Sequence, residues 1–518
     1  MNNGPASLHP AEAVDRFWLI VSVILEDASV PFANLDSIPM SDDLFDTIVS
    51  LSKQRGFIVQ SSEIYGGLSA TYDYGPMGVE LKRNVKDLWW QSMVYQNDDI
   101  VGLDAAIMMH PKTWDASGHT EAFNDPLIDD KASGNRYRAD TLIEDYIRDL
   151  REEGKDEHAE EVHERLVEAL NAGDEMNDAL HAIIVDEEIP APESGAFDWT
   201  DVRQFNLMFE TEMGPVDGQK VFLRPETAQG IFVNFHNARE PARQHVPFGV
   251  AQIGKAFRNE IVARQFVFRT REFEQMEMQY FVKPGTELDW YEKWKERRMA
   301  WHESLGIDSS NLRFHEHDQL SHYANAAVDI QYDFPIGWKE LEGIHSRTDY
   351  DLSRHEEYSG KKMSYYDPWE EERYTPYVVE TSTGLDRTLF MLLCDAYYEE
   401  DVKGDTRSVL QFHPEVAPTR AAIFPLMDKE GLPDIARNIE DDLNQHFNVR
   451  YDERGSMGKR YRRQDEAGTP FCITVDFDTL DDQQVTVRDR DTMEQDRVAI
   501  DQLATYIFDR TQNWEADE

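Results

Sequence analysis

The segment from Val246 to Val282, VPFGVAQIGKAFRNEIVARQFVFRTREFEQMEMQYFV, leaves the chain little freedom of fold. It reads as a strand, a charged loop and a second strand with a strict period of two. Met276, Met278, Tyr280 and Val282 fall on one face of that second strand, and Phe273, Gln275, Glu277 and Gln279 fall on the other. The methionine face is ordinary core and requires a layer to cover it. The opposite face sets an aromatic ring, two amides and a carboxylate in a row. Arg258, Arg264, Arg269 and Arg271 crowd the junction. A solvated hairpin with wet charges is one reading of these residues. The other is an anion-binding site, and composition favours it. The chain has 101 Asp and Glu against 52 Lys and Arg, a formal net charge of −49, so four arginines in one place are not background.

The acidic residues are spread along the chain rather than gathered in a tail. That pattern fits adaptation to a salty solvent better than a partner-binding segment. It does not exclude nucleic acid, because phosphate binding needs only a local basic face. At 518 residues the chain exceeds one hydrophobic core and should divide into two or three domains. Its only cysteines, Cys394 and Cys472, are too far apart in sequence for a Cys-x-x-Cys zinc site or a disulfide framework, which suits a reducing cytoplasm. The apolar run Phe17–Leu25 is shorter than the about 20 residues that span a bilayer, and no membrane association is expected.

Residues 1–40 read as a poorly ordered extension with scattered proline. From Ser41 the pattern is globular, with Leu44, Ile48 and Leu51 on one helical face. GVELKRNVKDLWWQSM repeats Leu81, Val85, Leu88 and Trp89 at helical spacing, and the apolar run from Ile100 to Pro111 reads as a strand. About 141–200 is a charged helical insertion, read as a solvated hairpin that ends at Pro190, Pro192 and Gly195. Beyond His413, apolar strand-like runs alternate with helical ones, as in a compact α/β domain. In PYVVETSTGLDRTLFMLLCDAYY, a strand through Val378 and Val379 leads to Thr381, Ser382 and Thr383 as helix caps, with Arg387 on the first helical turn.

Taken in order, three segments resemble the motifs of class II aminoacyl-tRNA synthetases. They are a helix and strand ending in proline, a strand–loop–strand carrying Phe257-Arg258-Asn259-Glu260, and a strand–helix carrying Gly384-Leu385-Asp386-Arg387. YDYGPMGVELKRNVKDLWW, GLDAAIMMHPKTWDASGH, FLRPETAQGIFVNF, ELEGIHSRTDYDLSRH and GKRYRRQDEAGTPFCITVDFDTL further resemble the dimeric, eukaryote-like glycyl-tRNA synthetases. The likeness covers Ser41 to Thr511, apart from the insertion. It implies an α+β protein: an antiparallel-sheet catalytic domain over 41–412 and an anticodon-binding α/β domain over 413–518. It also implies a homodimer in the cytoplasm that uses glycine, ATP with Mg²⁺, and tRNA(Gly). Some relatives carry a cysteine pair near the end of the insertion. This chain has none there, so no zinc is expected.

The resemblance also assigns residues. Arg258, Glu260 and Arg387 would be catalytic, the arginines neutralising the α- and γ-phosphates. ATP would further meet Asn259, Phe268, Arg269, Thr270, Arg271, Glu272 and Phe273, with Phe273 and Arg387 enclosing the adenine. Glu340, Leu341, Glu342, Gly384, Leu385 and Asp386 would complete that site, with Glu340 and Glu342 holding Mg²⁺. Glycine would be read by Glu226, Glu277 and Glu380 facing its ammonium, and by Phe273, Glu274, Gln275, Met276, Thr381, Ser382, Thr383 and Gly384, with Arg138 and Arg347 nearby. Lys459, Arg460, Arg462 and Arg463, in the densest basic cluster, would contact tRNA, as a basic loop. Two alternatives share this fold. A non-catalytic polymerase accessory subunit should have lost the arginines and pocket acids. A synthetase for proline or threonine would have less use for three pocket carboxylates.

Overall fold

The computed structural model describes residues 44–514 other than 216–217, 262–264, 318–319 and 321–323. The 1–40 extension and Arg264 therefore lie outside the described residues. Seven strands form the central sheet: β1 (Ile100–Gly102), β2 (Phe248–Phe257), β3 (Glu272–Val282), β4 (Leu312–Glu316), β5 (Ala326–Phe334), β6 (Gly337–Thr348) and β7 (Tyr377–Gly384). Their spatial order is β4-β5-β6-β7-β3-β2-β1, antiparallel throughout except for the parallel pair β1 and β2. Register builds the front of the sheet. Glu277 lies opposite Gln252 of β2 and Ser382 of β7, while Gln279 lies opposite Glu380, which in turn faces His345 of β6. Between β5 and β6 the pairing skips Leu341, a bulge that breaks the alternation of β6.

The back of the sheet is the methionine face. Met276, Met278, Tyr280 and Val282 are buried under helix α1 (Pro76–Trp90), whose Leu81, Val85 and Trp89 recur at helical spacing. β1 is much shorter than the apolar run from Ile100 to Pro111 suggests. After Leu103 the backbone leaves the ladder, and the amide of Ala105 donates instead to the Gln252 side chain at 2.7 Å.

The insertion is not a solvated hairpin. It comprises α2 (Ala139–Glu152), α3 (Asp156–Leu170) and α4 (Met176–Asp186) beside a three-stranded sheet. Ile143, Ile147, Val162, Leu166, Leu180 and Ile184 bury a separate core with Trp199. Sparse apolar residues suffice because each helix needs only one narrow stripe.

Helices α5 (Glu287–Ser304) and α6 (Leu385–Asp395) complete the back layer. Thr381, Ser382 and Thr383 do not cap α6. They are paired in β7 with Met278, Glu277 and Met276, so the strand runs on to Gly384, which takes the cap position.

The C-terminal sheet contains β8 (Ala421–Pro425), β9 (Val449–Tyr451), β10 (Phe471–Val475), β11 (Gln484–Asp489) and β12 (Gln495–Ala499), in the order β9-β8-β10-β11-β12. β8 runs parallel to β9 and β10, and the other pairs are antiparallel. Helix α7 (Leu432–Leu443) covers one face and α8 (Met457–Ala467) the other, while α9 (Leu503–Gln512) adds Leu503 and Ile507 to the α7 side. Both cysteines are buried and free. No helix among the described residues is long and apolar enough to cross a membrane.

Candidate active site

A cleft opens where the β2–β3 hairpin meets the start of α6. Arg258, which follows β2, is held through both backbone and side chain: its amide donates to Arg271 O at 3.0 Å and its Nε to Pro225 O at 3.1 Å. Its guanidinium lies 5.4 Å from the ring centroids of both Phe123 and Phe273. Arg387 projects from the first turn of α6. Its Nε donates to Phe268 O at 3.1 Å, its guanidinium lies 4.5 Å from the Phe268 ring, and its Nη1 is 3.1 Å from Glu340 Oε2. The Arg387 charge holds the Glu340 carboxyl below the usual range, against the opposing effect of burial. Glu260 is 3.8 Å from Arg269. Two guanidiniums from different elements, each against an aromatic ring, can take a flat base and a polyanion together.

Farther along the same face of β3 lies an acidic pocket. Glu277 is 1% exposed. It accepts hydrogen bonds from Thr227 Oγ1 at 2.5 Å and Gln279 Nε2 at 2.7 Å. The same Gln279 nitrogen donates to Glu380 at 2.6 Å, and Glu380 also meets His345 Nδ1 at 2.9 Å and Arg347 Nη1 at 3.0 Å. Asp351 anchors Arg347 from behind at 2.9 and 3.2 Å. Glu226 accepts from Gln229 at 3.0 Å and lies 3.5 Å from His119. Burial, with the charges of Glu380 and Glu226, pushes Glu277 up to about 8. Burial opposes ionisation of Glu380 too, but Arg347 and His345 override it and hold that carboxyl down at about 2. Glu226 is likewise held well below its ordinary value by His119 and Arg347 despite burial. Two fixed anions beside a third, protonated acid make a receptor for a small cation. Gln275 links pocket and cleft: its Oε1 accepts from Thr227 N at 3.1 Å and its Nε2 donates to Ser382 Oγ at 3.3 Å.

The class II core domain described for G, H, P, S and T tRNA synthetases matches residues 209–396. A glycyl-tRNA synthetase insertion domain matches 125–160 and 153–207, and an anticodon binding domain matches 420–510. Over 463 residues, 89% of this chain and 98% of the relative, the chain is 55% identical to the glycine–tRNA ligase of Chlorobaculum tepidum. The chain belongs to the glycine–tRNA ligases. The ligase of Staphylococcus haemolyticus is 53% identical over 471 residues, 90% of this chain and 98% of that protein. A prolyl-tRNA synthetase structure from Cryptosporidium parvum shares the fold at a TM-score of 0.57 and 13% identity, covering 93% of this chain and 79% of that one.

Within this ligase the cleft gathers Arg258, Glu260, Phe268, Arg269, Thr270, Phe273, Gln275, Glu340, Ser382, Gly384, Asp386 and Arg387. Others of the residues named from sequence have different surroundings. Glu274 points to the back, toward Lys82 at 2.7 Å and Lys86 at 3.3 Å of α1. Met276, Leu341, Thr381, Thr383 and Leu385 are buried, Thr383 Oγ1 donating to Leu341 O at 3.1 Å. Glu342 is not beside Glu340. Across the Leu341 bulge it is sealed against Arg298 at 2.6 Å and His302 at 2.7 Å, its charge already neutralised. Asp386 borders the cleft, but its carboxylate serves Tyr74, Lys82 and the Glu274 amide. Arg271 donates to Glu260 O and Ser69 O, and Glu272 is paired with Lys255 at the surface. Asn259 is pinned through its amide to Leu207 O at 2.7 Å. Arg387 covers Phe268, while Phe273 is covered by Arg258. Arg138 pairs with Asp125 at 3.0 Å and Asp140 at 2.5 Å and feels the charge of Glu260 at the cleft.

Gln279, His345, Thr227, Gln229 and His119 were not among the residues assigned from sequence. Period two along β3 and β6 would have added Gln279 and His345, which lie two residues from Glu277 and Arg347. His119 closes the segment GLDAAIMMHPKTWDASGH, but its residue type and spacing do not single it out.

The basic cluster is a helix, α8, rather than a loop. Arg460 is 5% exposed and donates to the carbonyls of Pro425, Glu453 and Gly455, so it is a structural residue. Arg463 meets Asp452 and Arg454 O. Lys459 is exposed and Arg462 half-buried.

Proposed function

We propose that this chain joins glycine to ATP as an adenylate and transfers it to the 3′ end of tRNA(Gly). The carrying observation is the acidic pocket, with Glu226, Glu277 and Glu380 set against one another beside a cleft lined by arginines. Glycine offers only an ammonium, a carboxylate and the absence of a side chain. Three convergent acids suit the ammonium, and tight packing around Gln275, Ser382 and Thr227 would exclude a larger amino acid. The glycine carboxylate is already an anion, so its attack on the α-phosphorus needs no general base. It needs alignment and charge neutralisation, which Arg258 and Arg387 supply from two directions. Glu340, half-exposed at the cleft, is the carboxylate left to hold Mg²⁺ together with the phosphates, a sparse protein contribution usual for that ion.

We further infer that the core over 41–412 does this chemistry, that 413–518 reads the anticodon through Lys459 and Arg462, and that the ligase works as a homodimer in the cytoplasm. The test is pyrophosphate exchange with a panel of amino acids. Exchange with glycine alone is expected. Exchange driven by proline or threonine, or none with any amino acid, would overturn the reading.

A further inference from the structure

One cluster on the front of the sheet borders the acidic pocket: its His345 holds Glu380, while its His317 and Asp329 have no part in the proposed chemistry. His317 follows β4, Asp329 lies on β5 and His345 on β6. The backbone brings them together: the amide of His317 donates to Ala327 O, Ala327 is registered with His345, and Asp329 is registered with Gly343. One ligand atom from each lies within 4.8 Å of the other two. Donors about 2.0 Å from a tetrahedral zinc sit about 3.3 Å apart, so small side-chain rotations suffice to converge them.

Two details argue against a merely hydrogen-bonded trio. His317 Nε2 is shielded from solvent and lies 2.9 Å from Asp329 Oδ1, yet among the described residues it has no well-directed hydrogen bond. Gly343 keeps the space between the groups open, since a Cβ there would lie 3.2 Å from the His345 ring and 3.8 Å from Asp329 Oδ1. His345 already directs Nδ1 at Glu380, at 2.9 Å, leaving Nε2 as its free donor. Metal-bound histidines commonly have their second nitrogen held in this way by a carboxylate.

We propose that His317, Asp329 and His345 bind one divalent transition-metal ion of the zinc class. Two imidazoles and one carboxylate suit such an ion and not Mg²⁺, which takes oxygen ligands. The expectation of no zinc rested on missing cysteines and does not reach this site. The ion would join β4, β5 and β6 and fix the ring of His345 against Glu380, so it positions the amino-acid pocket without touching substrate.

The test uses tag-free full-length protein stripped with a chelator, then titrated with Zn²⁺ against a colorimetric competitor and with Co²⁺ by visible absorption. One equivalent per chain is expected, with a Co²⁺ spectrum of four- or five-coordinate character. His317→Ala and Asp329→Ala should each weaken binding by more than the roughly 10–100-fold that loss of an outer partner costs. His315→Ala, whose ring lies 6.5 Å from that of His317, should keep it. Thermal melts establish that each variant folds. Absence of stoichiometric uptake, uptake that survives the His317→Ala/Asp329→Ala double variant, or uptake lost only in His315→Ala would each overturn the proposal.

Discussion

Glu277 carries a proton at neutral pH because it is buried between two carboxylates that are ionised. An ammonium entering the pocket reverses that balance, since only the ionised form neutralises it. Glycine binding should therefore release a proton. The sign follows from the raised value: below about 8 the bound proton must be expelled, so affinity grows with pH and levels off above. The slope should approach about tenfold per pH unit between pH 6 and 8. Calorimetry in buffers of different ionisation enthalpy checks the release, and Glu277→Gln should abolish both the pH slope and most of the affinity while ATP binding stays. A flat profile in the parent protein would show that Glu277 is ionised before glycine arrives. Arg258 makes a complementary case. It donates one hydrogen bond to Pro225 O and otherwise rests on aromatic rings, so its charge is available. Arg258→Ala should lower glycine-dependent exchange by about 10²–10³ or more, with the melting temperature little changed.

Strands and helices decide which residues of a matching motif can act. Period two in β3 was legible from Met276 to Val282, and with it the sheet, its buried back and the polar row around Glu277 at the front. What the sequence hid was local: a bulge has no compositional mark, so Glu340 and Glu342 look equivalent in ELEGI although one faces the cleft and the other is sealed. Their variants should separate. Glu342→Ala leaves Arg298 buried without a counter-charge and His302 without its hydrogen-bond partner, and should cost about 3–5 kcal/mol in urea unfolding. Glu340→Ala should leave stability near normal and raise the KM for ATP. Equal behaviour would mean the bulge does not persist in solution. Helix α8 poses the same problem in one element. GKRYRR reads as uniform positive charge, but helical spacing turns Arg460 inward onto three carbonyls. Arg460→Ala should destabilise the C-terminal unit by about 2–3 kcal/mol. Lys459→Ala with Arg462→Ala should instead raise the KM for tRNA, leaving pyrophosphate exchange unchanged. Loss of exchange in that double variant would move these residues out of a tRNA role.

At the scale of the whole molecule, net charge sets how the fold responds to salt. The excess of 101 acidic over 52 basic residues, giving −49, cannot be cancelled by ion pairing, because too few partners exist. Many of the basic residues are also committed internally: Arg298, Arg407, Arg460 and Arg490 are buried against carboxylates or carbonyls. Buried carboxylates such as Glu342 and Asp465 match these arginines, so the acidic excess stays on the surface, and the native state holds its carboxylates closer together than an unfolded chain does. Repulsion at that spacing opposes folding, and salt relieves it, since the screening length falls from about 30 Å at 0.01 M to about 3 Å at 1 M. The buried pairs, Arg298 with Glu342 and Arg407 with Asp465, exclude counterions and should be little affected over the same range. The melting temperature should therefore rise steadily as KCl is increased from about 0.05 to about 1 M, with most of the gain at the low end, where the screening length changes fastest. The dependence should follow ionic strength and hardly distinguish KCl from NaCl. A melting temperature that is flat or falls with salt would show that the carboxylates are already neutralised, by protons or by bound cations. A rise with K⁺ but not Na⁺ would point to specific ion sites rather than screening.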